Sequence, residues 1–209
     1  MTTLAFESGL QLAERLKRQE LSAVELLDYF LDRVQRFNPQ LNAIIELQEK
    51  EARGWAIAAD QAQAKQTAES LAPFHGVPMT IKESFDVSGM HTTRGNPVFE
   101  HHIAETDALA VSRLRKAGAN IFGKTNVPLD LADFQSYNAI YGTTNNPWDT
   151  ERTPGGSSGG SAVAMAAGLS GIENGSENYP VRSIQDHDYK LIWNMNYTAP
   201  FYCSGSKIG

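Results

Sequence analysis

Thr153-Pro-Gly-Gly-Ser-Ser-Gly-Gly-Ser161 runs straight into Ala162-Val-Ala-Met-Ala-Ala-Gly-Leu169. Glycine and serine alone describe a flexible linker. A linker is not usually followed at once by a small-residue helix that must pack closely, and Ala162, Ala164, Ala166, Ala167 and Gly168 demand that packing. Glycines flanking serines let the backbone approach a substrate, and a helix start offers N–H donors and a positive dipole end. The stretch is therefore read as a catalytic or anion-binding loop, with Gly155, Gly156, Ser158, Gly159, Gly160 and Ser161 around Ser157.

The flanks of this stretch alternate helix, glycine and strand. His75-Gly-Val-Pro-Met-Thr-Ile-Lys-Glu83 reads as an apolar strand, residues 107–116 as a helix stopped by Gly118, and Ala119–Gly123 as a second strand. This is α/β grammar. Upstream, residues 8–17 and 22–36 read as amphipathic helices; Ser22 with Glu25 three residues on forms a capping box, and Asn38-Pro39 is expected to stop the second helix. Residues 41–47 read as a short strand and 49–69 as a long Ala/Gln-rich helix. Leu109, Val111, Leu114 and Ala117 are expected on the buried face of the 107–116 helix.

Composition narrows the function classes. The chain has 209 residues, 41% hydrophobic and 20% charged, with a net charge of −6, which argues against a general nucleic-acid or anionic-membrane binder. No apolar run reaches the roughly 18 residues of a bilayer span. Met1-Thr-Thr-Leu-Ala-Phe-Glu7 shows no basic n-region or apolar h-region, and Cys203 is the single cysteine. A cytoplasmic protein without disulfides is expected.

Gly118-Ala-Asn-Ile-Phe-Gly-Lys-Thr125 satisfies the phosphate-loop pattern. That loop needs a strand before it and a helix after it; here a helix precedes and Asn126-Val-Pro128 follows, so a buried strand is expected instead. Lys82 ends an apolar strand. It either emerges into solvent or is buried, in which case burial lowers its proton affinity towards the range of a base. His101-His102 carries no third ligand, and no metal site is expected.

Four stretches in order, His75–Glu83, Ala117–Asn126, Tyr141-Gly-Thr-Thr-Asn-Asn-Pro-Trp148 and Pro154–Ser161, resemble the amidase signature family. The resemblance covers residues 1–173 and implies a mixed sheet flanked by helices, the N-terminal portion of a longer domain. It also implies hydrolysis of a small-molecule amide C–N bond by a serine–serine–lysine triad that needs no metal or organic cofactor. By the family's pattern Lys82 is the base and Ser157 the bridging serine, held by a cis peptide. Neutral Lys82 would take a proton through Ser157 from the nucleophile and later return it to the leaving nitrogen.

The family continues with a segment of the type G-[ST]-D-x-G-G-S, whose last serine is the nucleophile. Here the chain reads Gly175-Ser-Glu-Asn-Tyr-Pro-Val181, so Val181 falls at the nucleophile's place and Tyr179 and Pro180 replace the glycines. Pro180 has no N–H for an oxyanion hole. Ser176 and Ser183 are near but out of register. An impaired amidase is expected, the alternative being an inactive fragment or fusion product.

Residues 174–209 form a separate, aromatic-rich tail with a period-2 pattern from Lys190 to Tyr197, expected as a strand. Asn178–Asn194 resembles a strand-forming segment from the C-terminal region of sulfatases, which makes the chain read as a chimera joined between Ile172 and Ser176. Cys203-Ser-Gly-Ser does not match the sulfatase C/S-x-P-x-R element, so no sulfatase chemistry is expected. Apolar faces that the rest of an amidase domain would cover are expected to be exposed and to favour self-association.

Overall fold

In the computed structural model, residues 4–174, 181–185 and 190–194 are described. The chain forms two units, Met1–Gly175 and Ser176–Gly209. In the first unit, helices α1 (Gly9–Lys17), α2 (Ala23–Leu41) and α3 (Glu49–Gln63) surround strand β1 (Ile44–Leu47) in sequence. Strand β2 (Pro78–Lys82), helix α4 (Leu109–Lys116) and strand β3 (Asn120–Thr125) follow. The short pair β4 (Tyr137–Asn138) and β5 (Gly142–Thr143) precedes helix α5 (Gly159–Ala166) and strand β6 (Ile172–Asn174).

Local chemistry explains the helix starts. Ser8 and Gln11 close a capping box on α1, and Ser22 and Glu25 close one on α2, where the Ser22 N–H donates to Glu25 at 2.8 Å. Pro39 does not stop α2. It sits in the last turn, where its missing N–H removes only one bond, and the helix runs on to Leu41 and left-handed Asn42. Asn38 secures the exit: its Oδ1 accepts from the Ala43 and Ile44 N–H groups, each at 2.9 Å. Helix α3 ends six residues short of the expected boundary, because extended Thr67 opens a separate 3-10 turn at Ala68–Ser70. Leu109 lies in the first turn of α4 and is 66% exposed, while Val111 is fully buried.

The sheet is mixed, in the order β1-β3-β2-β6, with β1 antiparallel to β3 and the other neighbours parallel. Its central strands are buried at every residue, as expected where helices cover both faces. On one side Leu12, Leu16, Leu26, Leu27 and Phe30 of α1 and α2 pack with Phe122 and Val163. On the other, Met79, Ile81 and Ile121 pack with Val111 of α4. The register between β2 and β3 shifts between Met79 and Thr80, where Phe122 is the extra residue. Such a bulge exchanges which residues share a face, so Thr125 comes to lie beside Lys82. Gly118-to-Thr125 is thus a turn and a buried strand, with Gly118 at φ +91° ending the α4 connection.

The second unit shows strands β7 (Val181–Gln185) and β8 (Lys190–Asn194) paired antiparallel, Val181 opposite Asn194. Met195, Asn196 and Tyr197, also expected in that strand, lie outside the described residues. Among the described residues no helix is long and apolar enough to cross a membrane.

Candidate active site

Lys82 is the last residue of β2 and is 4% exposed. Of the two alternatives open at the level of sequence, burial holds, because β3 and β6 flank β2 on both sides and α5 packs over it. The site therefore stands at the C-terminal ends of parallel strands, where open α/β sheets bind ligands.

The serine loop approaches from 75 residues further along the chain. Thr153 and Gly155 make a tight turn, with the Gly155 N–H donating to Thr153 Oγ1 at 3.1 Å and Gly155 at φ +87°. The Gly156–Ser157 peptide is cis. Gly156 lies so close to the backbone of Gln135 that an added Cβ would stand 2.4 Å from its carbonyl oxygen. Ser157 is half-buried, and its Oγ accepts a hydrogen bond from Lys82 Nζ at 2.9 Å. The two residues singled out in the sequence are thus brought together.

The remaining loop residues divide. Gly155, Gly156 and Ser158 stay in the loop, whereas Gly159, Gly160 and Ser161 form the buried first turn of α5. The Gly159 N–H donates to Ser136 Oγ at 2.9 Å and the Gly160 N–H to the Asn126 carbonyl at 3.3 Å, so both donors are used inside the protein. These glycines serve close packing: a Cβ on Gly160 would meet Asn126 N at 2.4 Å, and one on Gly159 would meet Ser136 Oγ at 2.4 Å. Gly160→Ala must push two backbones apart and is expected to cost about 1–3 kcal/mol, read as a lowered midpoint in urea unfolding.

Several polar groups escape a linear reading. Asn126 Nδ2 donates to Gly142 O at 3.1 Å and to Thr144 Oγ1 at 3.0 Å, while Asn138 Nδ2 donates to Asn126 Oδ1 at 2.9 Å. This stitches the Tyr141–Trp148 stretch beneath the serine loop. Beside Lys82, Thr125 Oγ1 and Ser161 Oγ stand 2.8 Å apart, and Thr125 Oγ1 donates to Glu173 at 3.2 Å. Thr80 Oγ1 also donates to Glu173. Burial pushes the Glu173 carboxyl up to about 7, against the opposing pull of these hydroxyls and the Lys82 charge.

Two further buried charges, Lys124 and Glu83, lie on the opposite sheet face and act on each other through their fields. Lys124 Nζ donates to the His91 carbonyl and, at 3.0 Å, to Thr92 Oγ1, and burial lowers its pKa to about 8. Glu83 accepts from the Thr93 and Arg94 N–H groups; burial raises its pKa while the Lys124 charge pulls it back. The sequence offered Lys124 only as part of a false phosphate loop; its β3 position and Glu83 beyond β2 were the available signal.

The fold and this lysine–serine pair coincide with a family match: residues 25–178 fit the Amidase family model, and the chain belongs to that family. It is 42% identical over 159 residues to a glutamyl-tRNA(Gln) amidotransferase subunit from Coxiella burnetii (strain Dugway 5J108-111), covering 76% of this chain and 32% of that protein. To the indoleacetamide hydrolase of Bradyrhizobium diazoefficiens it is 41% identical over 170 residues, covering 81% and 32%. Among solved structures, 6-aminohexanoate cyclic dimer hydrolase complexed with substrate matches with a TM-score of 0.71 and 33% identity, covering 79% of this chain and 33% of that one. Fatty acid amide hydrolase matches with a TM-score of 0.76 and 27% identity, covering 87% and 30%. The chain spans about a third of the length of the curated relatives it matches.

Proposed function

We propose that this chain carries the proton relay of an amide C–N hydrolase, with Lys82 as base, Ser157 as bridge and a small-molecule amide as substrate. The observation that carries the reading is the 2.9 Å Lys82–Ser157 hydrogen bond at the serine loop. Neutral Lys82 accepts the Ser157 proton as Ser157 takes one from an attacking hydroxyl. The reverse movement protonates the departing nitrogen, which leaves as ammonia or an amine. Backbone N–H groups would stabilise the tetrahedral oxyanion.

The relay lacks its partner in the family's register, where Val181 stands in place of the nucleophilic serine and Pro180 in place of an N–H donor. Those two residues support the second reading, an inactive member joined to an unrelated tail after residue 173. Under either reading, exposed apolar side chains such as Phe134, at 87%, and Trp148, at 76%, favour self-association.

Treatment with a fluorophosphonate, followed by intact mass and peptide mapping, tests the reading. Labelling of the native chain is expected to be at least about a hundredfold slower than that of a complete family member. A fast adduct at Ser176 or Ser183 would overturn the impaired register and assign a replacement nucleophile. A fast adduct at Ser157 would overturn its role as bridge.

A further inference from the structure

The relay does not use Glu173, yet the sheet builds a cage around that carboxylate. The β2–β6 register sets Glu173 opposite Thr80, on the face that carries Lys82 two residues further along β2. Three hydroxyls from three elements surround it: Thr80 of β2 and Thr125 of β3 donate to its two oxygens, and Ser161 of α5 bonds Thr125 at 2.8 Å. Glu173 is half-buried as a residue, and carboxylates turned in among hydroxyls are commonly matched by a countercharge. Among the described residues, Lys82 on the same face is the cation whose charge favours the Glu173 carboxylate.

Among the described residues, the charges on the neighbouring elements are engaged elsewhere. On β3, Lys124 points to the opposite face towards His91 and Thr92. Helix α5 carries no titratable side chain. On α1, whose Gly9 abuts Ile172, Arg15 pairs with Glu7 and Glu20.

We propose that Glu173 is a positioning residue for the proton on Lys82: its carboxylate holds Lys82 in the ammonium form and so withholds the base from the relay. The inference rests on the relay reading above. When the pair shares one proton, it exists as carboxylate with ammonium or as carboxylic acid with free amine, and only the second leaves a lone pair for Ser157. Burial favours the neutral form of the pair, while the hydroxyl cage favours the charged form. Burial pushes the Glu173 carboxyl up to about 7, so its ionisation falls near neutrality, and the Lys82 charge opposes that rise.

Carbon-13 NMR of lysine Cε and glutamate Cδ reads both groups in the full chain, with Lys82→Arg and Glu173→Gln used for assignment. In the native chain the Lys82 resonance is expected to respond in the same pH window in which Glu173 ionises. Glu173→Gln is expected to lower the Lys82 midpoint by about one pH unit, a tenfold loss of proton affinity. Glu173→Asp, which keeps the charge at shorter reach, is expected to fall between the two. An unchanged Lys82 midpoint in folded Glu173→Gln would overturn the proposal. If that variant does not fold, a native Lys82 resonance that ignores Glu173 ionisation overturns it instead. Failure of the relay reading looks different: the midpoints shift as stated, but fluorophosphonate labelling of a Val181→Ser variant does not depend on Lys82.

Discussion

Replacing Tyr179 and Pro180 by glycine and Val181 by serine raises the rate of fluorophosphonate labelling by at least about a hundredfold. The expectation follows from what the relay lacks. Lys82 and Ser157 stand 2.9 Å apart, and by the reading proposed above, the sequence places valine, not serine, in the family's register for the attacking hydroxyl. Serine at position 181 supplies the hydroxyl, and glycine at 180 restores the backbone N–H that proline cannot donate. A single oxyanion-hole donor is worth about 10²–10³ in rate, and a nucleophile with no activating base is nearly inert. The gain must therefore vanish when Lys82→Met or Ser157→Ala is added. A triple variant that labels no faster than the native chain would mean that residues 179–181 do not meet the relay. One that labels quickly without Lys82 would remove the lysine from the mechanism.

Lys124→Met is expected to destabilise the first unit by about 3–5 kcal/mol, the usual cost of removing one partner from a buried charge pair. Lys124 and Glu83 are both fully buried. Methionine fills the volume of the stem but leaves Glu83 with two backbone N–H donors and no countercharge. Adding Glu83→Gln removes the orphaned charge, so the double variant is expected to recover much of the loss. The pH dependence has a definite sign. The Glu83 pKa is already raised above its ordinary value, and losing the Lys124 charge raises it further. The folded variant then binds more protons than its unfolded chain across that window, and stability falls as pH rises through it. Urea unfolding at pH 5 and pH 8 is expected to show the larger defect at pH 8. An equal defect at both would mean that packing, not charge, sets the cost.

Much of the local architecture is legible in order along the chain. The Ser22–Glu25 capping box needs only a hydroxyl three residues before a carboxylate, and the structure forms it. The apolar runs at 77–81 and 119–122 become parallel strands because both faces are covered, and the Gly118 stop sits where α4 ends. Lys82 and Ser157 were named from residue type and resemblance, and their amino-acid types suit a proton relay wherever the fold brings them together.

What brings them together is not local. Lys82 reaches Ser157 across 75 residues through a sheet whose register a linear pattern does not encode. The bulge at Phe122 decides that Thr125, and not Lys124, shares the Lys82 face, and the same shift sends Lys124 to Glu83 on the other side. Gly159 and Gly160 look like loop residues in one dimension; in the fold they open α5, where Asn126 and Ser136 leave no room for a Cβ. Glu173 is an ordinary acid in the sequence, and it becomes a caged one because β6 pairs it opposite Thr80. Residue types and their neighbours along the chain determined the helices, the strands and the relay's candidates. Burial, shared faces and charge pairing were decided by tertiary structure, because each depends on free-energy differences between groups that meet only after the sheet has chosen its register.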